Sequence, residues 1–331
     1  MGMRNALKVA AAMAVVVAPV TLAACGGGGD GTAATTPTAA ADAPLIVATT
    51  PVLGAIVRQA VGDRARVEVV MPNGSDPHEW RPSARDVAGM EQADLLVENG
   101  LGLEEGLQEA IARAREGGTP VFTATDHVDV RMVKDAGTAK GAEDDHDHDH
   151  AGEEAHDHGA ADPHFWTDPA QARRVTAALP AAVRRATGAD VRAQAAAARQ
   201  DLVALDASAR KAFAAVPADA RRLVTGHESL GYLADRYGLD VVGAVTPSLS
   251  SEGQVSAAHL KDLEDAMREA GVRVVFTETG LPNAVADAIV AETGATVVEV
   301  GTEAMPEDGS YSTYIRDLTG RISSALANSG G

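Results

Sequence analysis

Cysteine is almost absent from this sequence: Cys25 is the only one, so no intramolecular disulfide can form. Stability has to come from burial and from whatever binds the folded state. Aromatic residues make up only 3% of the chain, so the core must be built mainly from Ala, Val, Leu and Ile. Positive charge is scarce too: 28 Lys and Arg against 47 Asp and Glu leave a formal charge of −19. That deficit argues against nucleic acid or an anionic membrane surface as the partner. No Gly-rich Lys motif of the Walker type occurs, and no segment is long and apolar enough to span a bilayer comfortably.

The N-terminus reads as a targeting segment. Met1 to Lys8 is a short positive region, Val9 to Val20 is apolar, and Leu22-Ala23-Ala24-Cys25-Gly26 follows. The lone cysteine at that point resembles the lipobox of bacterial lipoproteins. The expectation is a signal peptide over 1–24, a lipidated Cys25, and a Gly/Thr/Ala/Pro-rich flexible tether over 25–44.

From Leu45 onward, short apolar runs alternate with amphipathic stretches, the pattern of parallel α/β units. Strands are predicted at 45–49, 67–71, 94–98, 119–123, 222–225, 241–245, 272–277 and 296–300. Helices are predicted at 52–61, 83–92 with Ser83 as N-cap, 103–115, from Asp168-Pro169 onward, 230–237, 256–270, 283–292 and 311–327. One longer helix spans 190–216. Its apolar residues Val191, Ala195, Ala198, Leu202, Leu205, Ala209 and Phe213 step by three and four, giving one continuous stripe. The predicted architecture is two similar open α/β lobes, 45–187 and 217–331, joined by a rigid helix over 188–216. A disordered His/Asp-rich insertion interrupts the first lobe at about 135–161.

Seven of the ten histidines fall in three places. His78 and His164 each end an Asp-Pro-His tripeptide, Asp76-Pro77-His78 and Asp162-Pro163-His164, with aromatic residues close behind. The other five, His146, His148, His150, His156 and His158, stand among eight carboxylates in the tract 143–158. Such a composition builds no core, but it offers weak, exchangeable metal sites. Ligands of open α/β folds sit beyond the carboxyl ends of strands. On the predicted strands, His78, His164, His227 and Glu303 occupy that position, two in each lobe, which points to a divalent metal held in the cleft between them. Glu79, Glu278 and Asp308 rival Glu303 as the carboxylate. Glu79 and Glu228 are candidates for orienting the imidazoles, while His127 and His259 read as ordinary surface or loop residues.

With the lipobox, both Asp-Pro-His segments, the His/Asp tract, Gly226-His227-Glu228-Ser229-Leu230-Gly231-Tyr232 and the long helix in this order, the mature chain resembles the metal-binding solute-binding lipoproteins of bacterial ABC transporters, most closely the zinc-uptake branch. The resemblance implies His78, His164 and His227 as three ligands, with a carboxylate of the last loop as the fourth; this chain has Glu303 where relatives carry Asp. Manganese relatives usually carry a glutamate at the position of His227. Three imidazoles and one carboxylate suit Zn2+ better than Mn2+. The implied function is extracytoplasmic zinc capture by a lipid-anchored monomer, with delivery to an ABC permease driven by its ATPase, and no enzymatic activity. A zinc-dependent hydrolase and a surface adhesin are the competing classes. Against the hydrolase, neither His78-Glu79 nor His227-Glu228 continues into a His-Glu-x-x-His pair.

Overall fold

The computed structural model describes residues 40, 42–133, 160–278 and 289–329. The expected signal peptide, Cys25, most of the tether, the tract 143–158 and most of the helix expected at 283–292 lie outside the described residues.

Two four-stranded parallel sheets organise the chain. The first contains β1 (Leu45–Ala48), β2 (Arg66–Val69), β3 (Leu95–Glu98) and β4 (Val121–Thr123) in the order β2-β1-β3-β4. A two-residue antiparallel pair, β5 (Met132–Val133) and β6 (Ala160–Ala161), follows. The second sheet contains β7 (Arg222–Thr225), β8 (Asp240–Ala244), β9 (Val274–Glu278) and β10 (Thr296–Val300) in the order β10-β9-β7-β8. Read from its second strand, this is the topology of the first sheet repeated. In both, the first strand is flanked by the second and third, so the chain reverses direction across the sheet at the same point.

Eight helices have full bounds among the described residues: α1 (Pro51–Val61), α2 (Ala84–Glu91), α3 (Gln108–Glu116), α4 (Pro169–Thr187), α5 (Arg192–Ala214), α6 (Gly231–Tyr237), α7 (Ala257–Ala270) and α8 (Tyr311–Ser329). Their starts follow local chemistry. Ser83 caps α2 in a reciprocal capping box with Asp86, Asp168 caps α4 ahead of Pro169, and Ser256 caps α7. None of these helices is long and apolar enough to cross a membrane.

Strand residues alternate between two cores, as a period of two demands. Ile46, Leu95 and Val97 face a central core, whereas Val47 and Leu96 face an outer one with Met90, Leu107 and Ile111. In the second sheet Leu223, Val274 and Phe276 face the same central core; Val224 and Val275 face outward to Leu263 and Met267 of α7. The central core is shared by the two lobes, because α1, α4, α5 and α8 lie against one another and form one helical layer. All seven predicted stripe residues are buried, and Leu202, Leu205, Ala209 and Phe213 of α5, with Val191 just before it, belong to that core. At about 1.5 Å per residue, the 23 residues of α5 span roughly 35 Å. It is a strut packed along its length, not a free-standing one.

Three expectations need correction. α3 starts at Gln108 rather than 103, because the Glu104 carboxylate accepts the backbone N–H groups of Asn99 and Gly100 and the Thr49 hydroxyl, which holds that residue out of the helix. β2 ends at Val69, two residues short, where the chain turns toward Asp76. Ala160 and Ala161, read as part of the disordered insertion, are ordered as β6 against β5.

Leu202→Ala, at the centre of the shared layer, is expected to lower metal-free stability by about 2–5 kcal/mol. Urea unfolding of the wild type and the variant measures it.

Candidate metal centre

Both Asp-Pro-His tripeptides fold in the same way. Pro lacks an N–H and fixes its own φ, so the aspartate side chain reaches over it to the histidine backbone. Asp76 Oδ1 accepts from the His78 N–H at 2.8 Å, and Asp162 Oδ1 accepts from that of His164 at 2.9 Å. The tripeptide is a turn that aims an imidazole. Asn99 fixes the second turn from within the first lobe, donating from Nδ2 to the Pro163 carbonyl at 3.0 Å. The aromatic residue that follows has a separate task. Trp166 donates its indole N–H to the Thr302 carbonyl at 2.8 Å, and the Tyr314 hydroxyl donates to the same oxygen at 2.6 Å. The His164 segment is thereby tied to the loop carrying Glu303.

His78 follows β2, His164 follows β6, His227 follows β7 and Glu303 follows β10. Each offers one donor atom, and these four atoms all lie within 4.8 Å of one another. His164 Nε2 stands 3.4 Å from His78 Nε2 and 3.2 Å from His227 Nε2. The three imidazoles are buried, at 3% exposure or less. Two donors about 2.0–2.1 Å from a tetrahedral zinc ion stand about 3.3–3.4 Å apart, so the spacing suits that ion.

Carboxylates stand on the far side of two of the rings. His164 Nδ1 donates to Asp162 Oδ1 at 2.8 Å, which turns the Nε2 lone pair toward the cluster. His227 Nδ1 lies 3.4 Å from Glu278 Oε1, and that oxygen also accepts the Ser229 hydroxyl at 2.5 Å. The imidazole partners are thus Asp162 and Glu278. Glu79 is exposed, and half-buried Glu228 feels the charges of Arg131, Asp162 and His227 without a hydrogen bond to a ring among the described residues. Glu278, read as a rival ligand, stands behind His227 instead. Asp308 stands before α8, accepting from the Ser310 N–H and the Thr313 hydroxyl, while Ser310 caps the helix. Of the minor histidines, exposed His127 stacks on Phe122, and His259 Nε2 lies 2.9 Å from the Ala244 carbonyl oxygen.

Electrostatics set the four groups against one another. Burial, reinforced by the charges of His164 and His227, pushes the His78 pKa down to about 2. Burial also lowers His164, against the pull of Asp162. At His227 burial acts in the same sense, but the Glu278 carboxylate outweighs it and holds the pKa above the ordinary value. Burial pushes Glu303 up to about 8, only partly offset by His227. Glu303 Oε1 is buried with no hydrogen-bond partner among the described residues. Burial thus favours the neutral rings of His78 and His164, and their nitrogens, with His227 and the partnerless Glu303 oxygen, converge on a point that one cation would satisfy.

Two topologically alike α/β lobes that each contribute donors to one buried cluster are the architecture of a solute-binding protein. The family model described as ZnuA, zinc-uptake complex component A periplasmic, matches residues 46–325, and this chain belongs to that family. It is 30% identical over 322 residues to the high-affinity zinc uptake system protein ZnuA of Paracoccus denitrificans, covering 87% of this chain and 93% of that one. It is 27% identical to the protein of the same description in Bacillus subtilis, over 72% of each chain. A crystal structure of ZnuA superposes with a TM-score of 0.70 at 25% identity, covering 86% of this chain and all of that one.

The two extreme groups pull metal-free stability in opposite directions with pH. His78, lowered when folded, costs stability as pH falls from about 6.5 toward 2, because the unfolded chain takes up that proton first. Glu303, raised when folded, contributes stability at low pH that is lost as pH rises from about 4.5 through 8. Glu303→Gln is therefore expected to raise metal-free stability at pH 8–9, by an amount on the order of 1–3 kcal/mol, while weakening metal binding. Urea unfolding across pH measures the first effect and a metal titration the second.

Proposed function

We propose that this protein captures Zn2+ outside the cytoplasm and delivers it to the permease of an ABC transporter powered by a separate ATPase. His78, His164, His227 and Glu303 hold the ion, which is cargo rather than a catalytic cofactor. The observation that carries the reading is the convergence of three imidazole nitrogens, with adjacent Nε2 atoms 3.2 and 3.4 Å apart, beside the Glu303 carboxylate. Family membership over residues 46–325 supports the transport role.

The donor set favours zinc over manganese, which prefers oxygen-rich sites. Four protein donors fill a tetrahedral shell, whereas a catalytic zinc keeps one position for water. The same closure favours binding over hydrolysis. Lipidation at Cys25 anchors the monomer to the membrane face, and residues 25–44 act as its tether. The tract 143–158 gathers zinc weakly through His146, His148, His150, His156 and His158 and is dispensable for the tight site.

Elemental analysis and competition titration of the soluble form lacking residues 1–25 test the reading. Wild type binds one tight zinc. Single Ala replacements of His78, His164 and His227 each lower affinity at least about a hundredfold, about 2.7 kcal/mol. Retention of tight zinc by all three variants refutes the site. Deletion of 143–158 removes only weak, additional zinc; losing the tight ion in that variant overturns the division of labour.

A further inference from the structure

The aspartates of the two Asp-Pro-His turns each use only one carboxylate oxygen, Oδ1, to hold their own histidine. Their second oxygens reach partners on or tied to the other lobe. Asp76 Oδ2 accepts the hydroxyl of Ser251, in the loop between β8 and α7, at 2.5 Å. Asp162 Oδ2 lies 3.2 Å from a guanidinium nitrogen of Arg131. Arg131 in turn donates from Nε to Asp235 Oδ2 on α6 at 2.9 Å. Its backbone N–H donates to the Tyr232 hydroxyl, also on α6, at 2.9 Å, and that hydroxyl donates to the Asp162 carbonyl at 3.2 Å. Asp162 is fully buried, so Arg131 is also the cation that compensates its charge.

We infer that Ser251 and Arg131 are positioning residues that set how fast the bound ion leaves, each acting through an aspartate that couples one ligand's posture to contact between the lobes. The inference rests on the metal-binding reading above and concerns release, not ligand identity. A displacement of the second lobe that pulls Ser251 from Asp76 frees that carboxylate to swing, and the His78 turn loses its brace. The same displacement strains the Asp235–Arg131–Asp162 chain and loosens the hydrogen bond that aims the His164 ring. Groups that orient a ligating imidazole are typically worth 10–100-fold in metal affinity, and losses of that kind fall mainly on dissociation. His227 differs from these two, because the carboxylate beside its ring, Glu278, and the Ser229 hydroxyl that donates to that carboxylate belong to its own lobe.

Gly231 gives a way to disturb Arg131 without removing it. A β-carbon there would collide with the Arg131 guanidinium, the movable end of a flexible side chain. The backbone at Gly231 is helical and tolerates alanine.

The experiment follows zinc release into excess chelator by stopped flow for the full mature chain and for Ser251→Ala, Arg131→Met, Gly231→Ala and Arg131→Lys. Zinc stoichiometry, the melting temperature of the metal-free form and the ligand-field spectrum of the cobalt(II) form accompany each rate. The expected result is release about tenfold faster in Ser251→Ala, Arg131→Met and Gly231→Ala, with part of the wild-type rate restored in Arg131→Lys. Stoichiometry and the tetrahedral cobalt spectrum at saturation stay as in wild type, and metal-free melting stays so in Ser251→Ala, whereas Arg131→Met, which leaves Asp162 uncompensated, melts lower. Unchanged release in Ser251→Ala and Gly231→Ala, from a wild type that binds zinc tightly, overturns the inference and leaves the proposed function standing. A wild type without tight zinc overturns both. Should Arg131→Met fold poorly, Ser251→Ala and Gly231→Ala decide the matter.

Discussion

Everything in this molecule turns on a repulsion. Buried imidazole nitrogens stand 3.2–3.4 Å apart with a carboxylate oxygen close by, so protons on neighbouring rings oppose one another. In water such groups would separate or take up protons. Here burial opposes protonation of His78 and His164 and opposes ionisation of Glu303. The metal-free cluster is therefore held against its own preference by the surrounding fold. A cation would take up the unprotonated nitrogens that burial favours at His78 and His164 and would offset the cost of ionising Glu303, and that is the physical source of the proposed affinity: the framework is assembled in advance, and the ion removes the strain of assembly.

The framework can bear this load because its lobes are not independent. Strands of both sheets send alternate side chains into one central core, and α1, α4, α5 and α8 fill the space between. The outer cores, which involve α2 and α3 on one side and α7 on the other, serve each sheet alone. A wide hinge motion would have to expose the central core, at about 25 cal/mol for each Å2 of apolar surface. Small rotations that keep the helical layer closed are far cheaper. The donors sit at the ends of loops beyond the strands, where a small rotation has the largest effect on their separation.

Much of this was legible in the chain because local chemistry and global fold agree. The α5 stripe, from Val191 to Phe213, follows from spacing alone, and Ser83, Asp168 and Ser256 mark helix starts by their capping ability. The Asp-Pro-His repeat pointed to the site before any geometry, since a proline between an acceptor and a donor leaves little other use for the pair. What escaped depended on tertiary partners. Glu104 looks like a helical residue until Asn99, Gly100 and Thr49 claim its carboxylate. Two alanines at the end of a low-complexity run carry no strand signal, and only Met132 and Val133 beside them make β6. Glu278 was visible as an acid at a strand end. Its place behind His227 rather than in front of the cluster depends on how β9 registers against β7, which spacing within one segment does not encode.

The Trp166 and Asn73 contacts show why the ligand loops cannot be treated one at a time. Asn73, in the loop after β2, accepts from the Met305 N–H at 2.7 Å and donates to the Met305 carbonyl at 2.8 Å, as a strand neighbour would. Trp166 holds Thr302 from the other direction. Glu303 thus sits between two residues gripped by side chains of the first lobe, although its own carboxylate oxygen has no hydrogen-bond partner among the described residues. Its backbone is held from both lobes, by Asn73 and Trp166 of the first and by Tyr314 of the second, while its sequence belongs with His227. A ligand set divided evenly along the chain is therefore divided unevenly in mechanical terms. Separation of the lobes has to break the Asn73 and Trp166 bonds or pull the Glu303 loop from Tyr314.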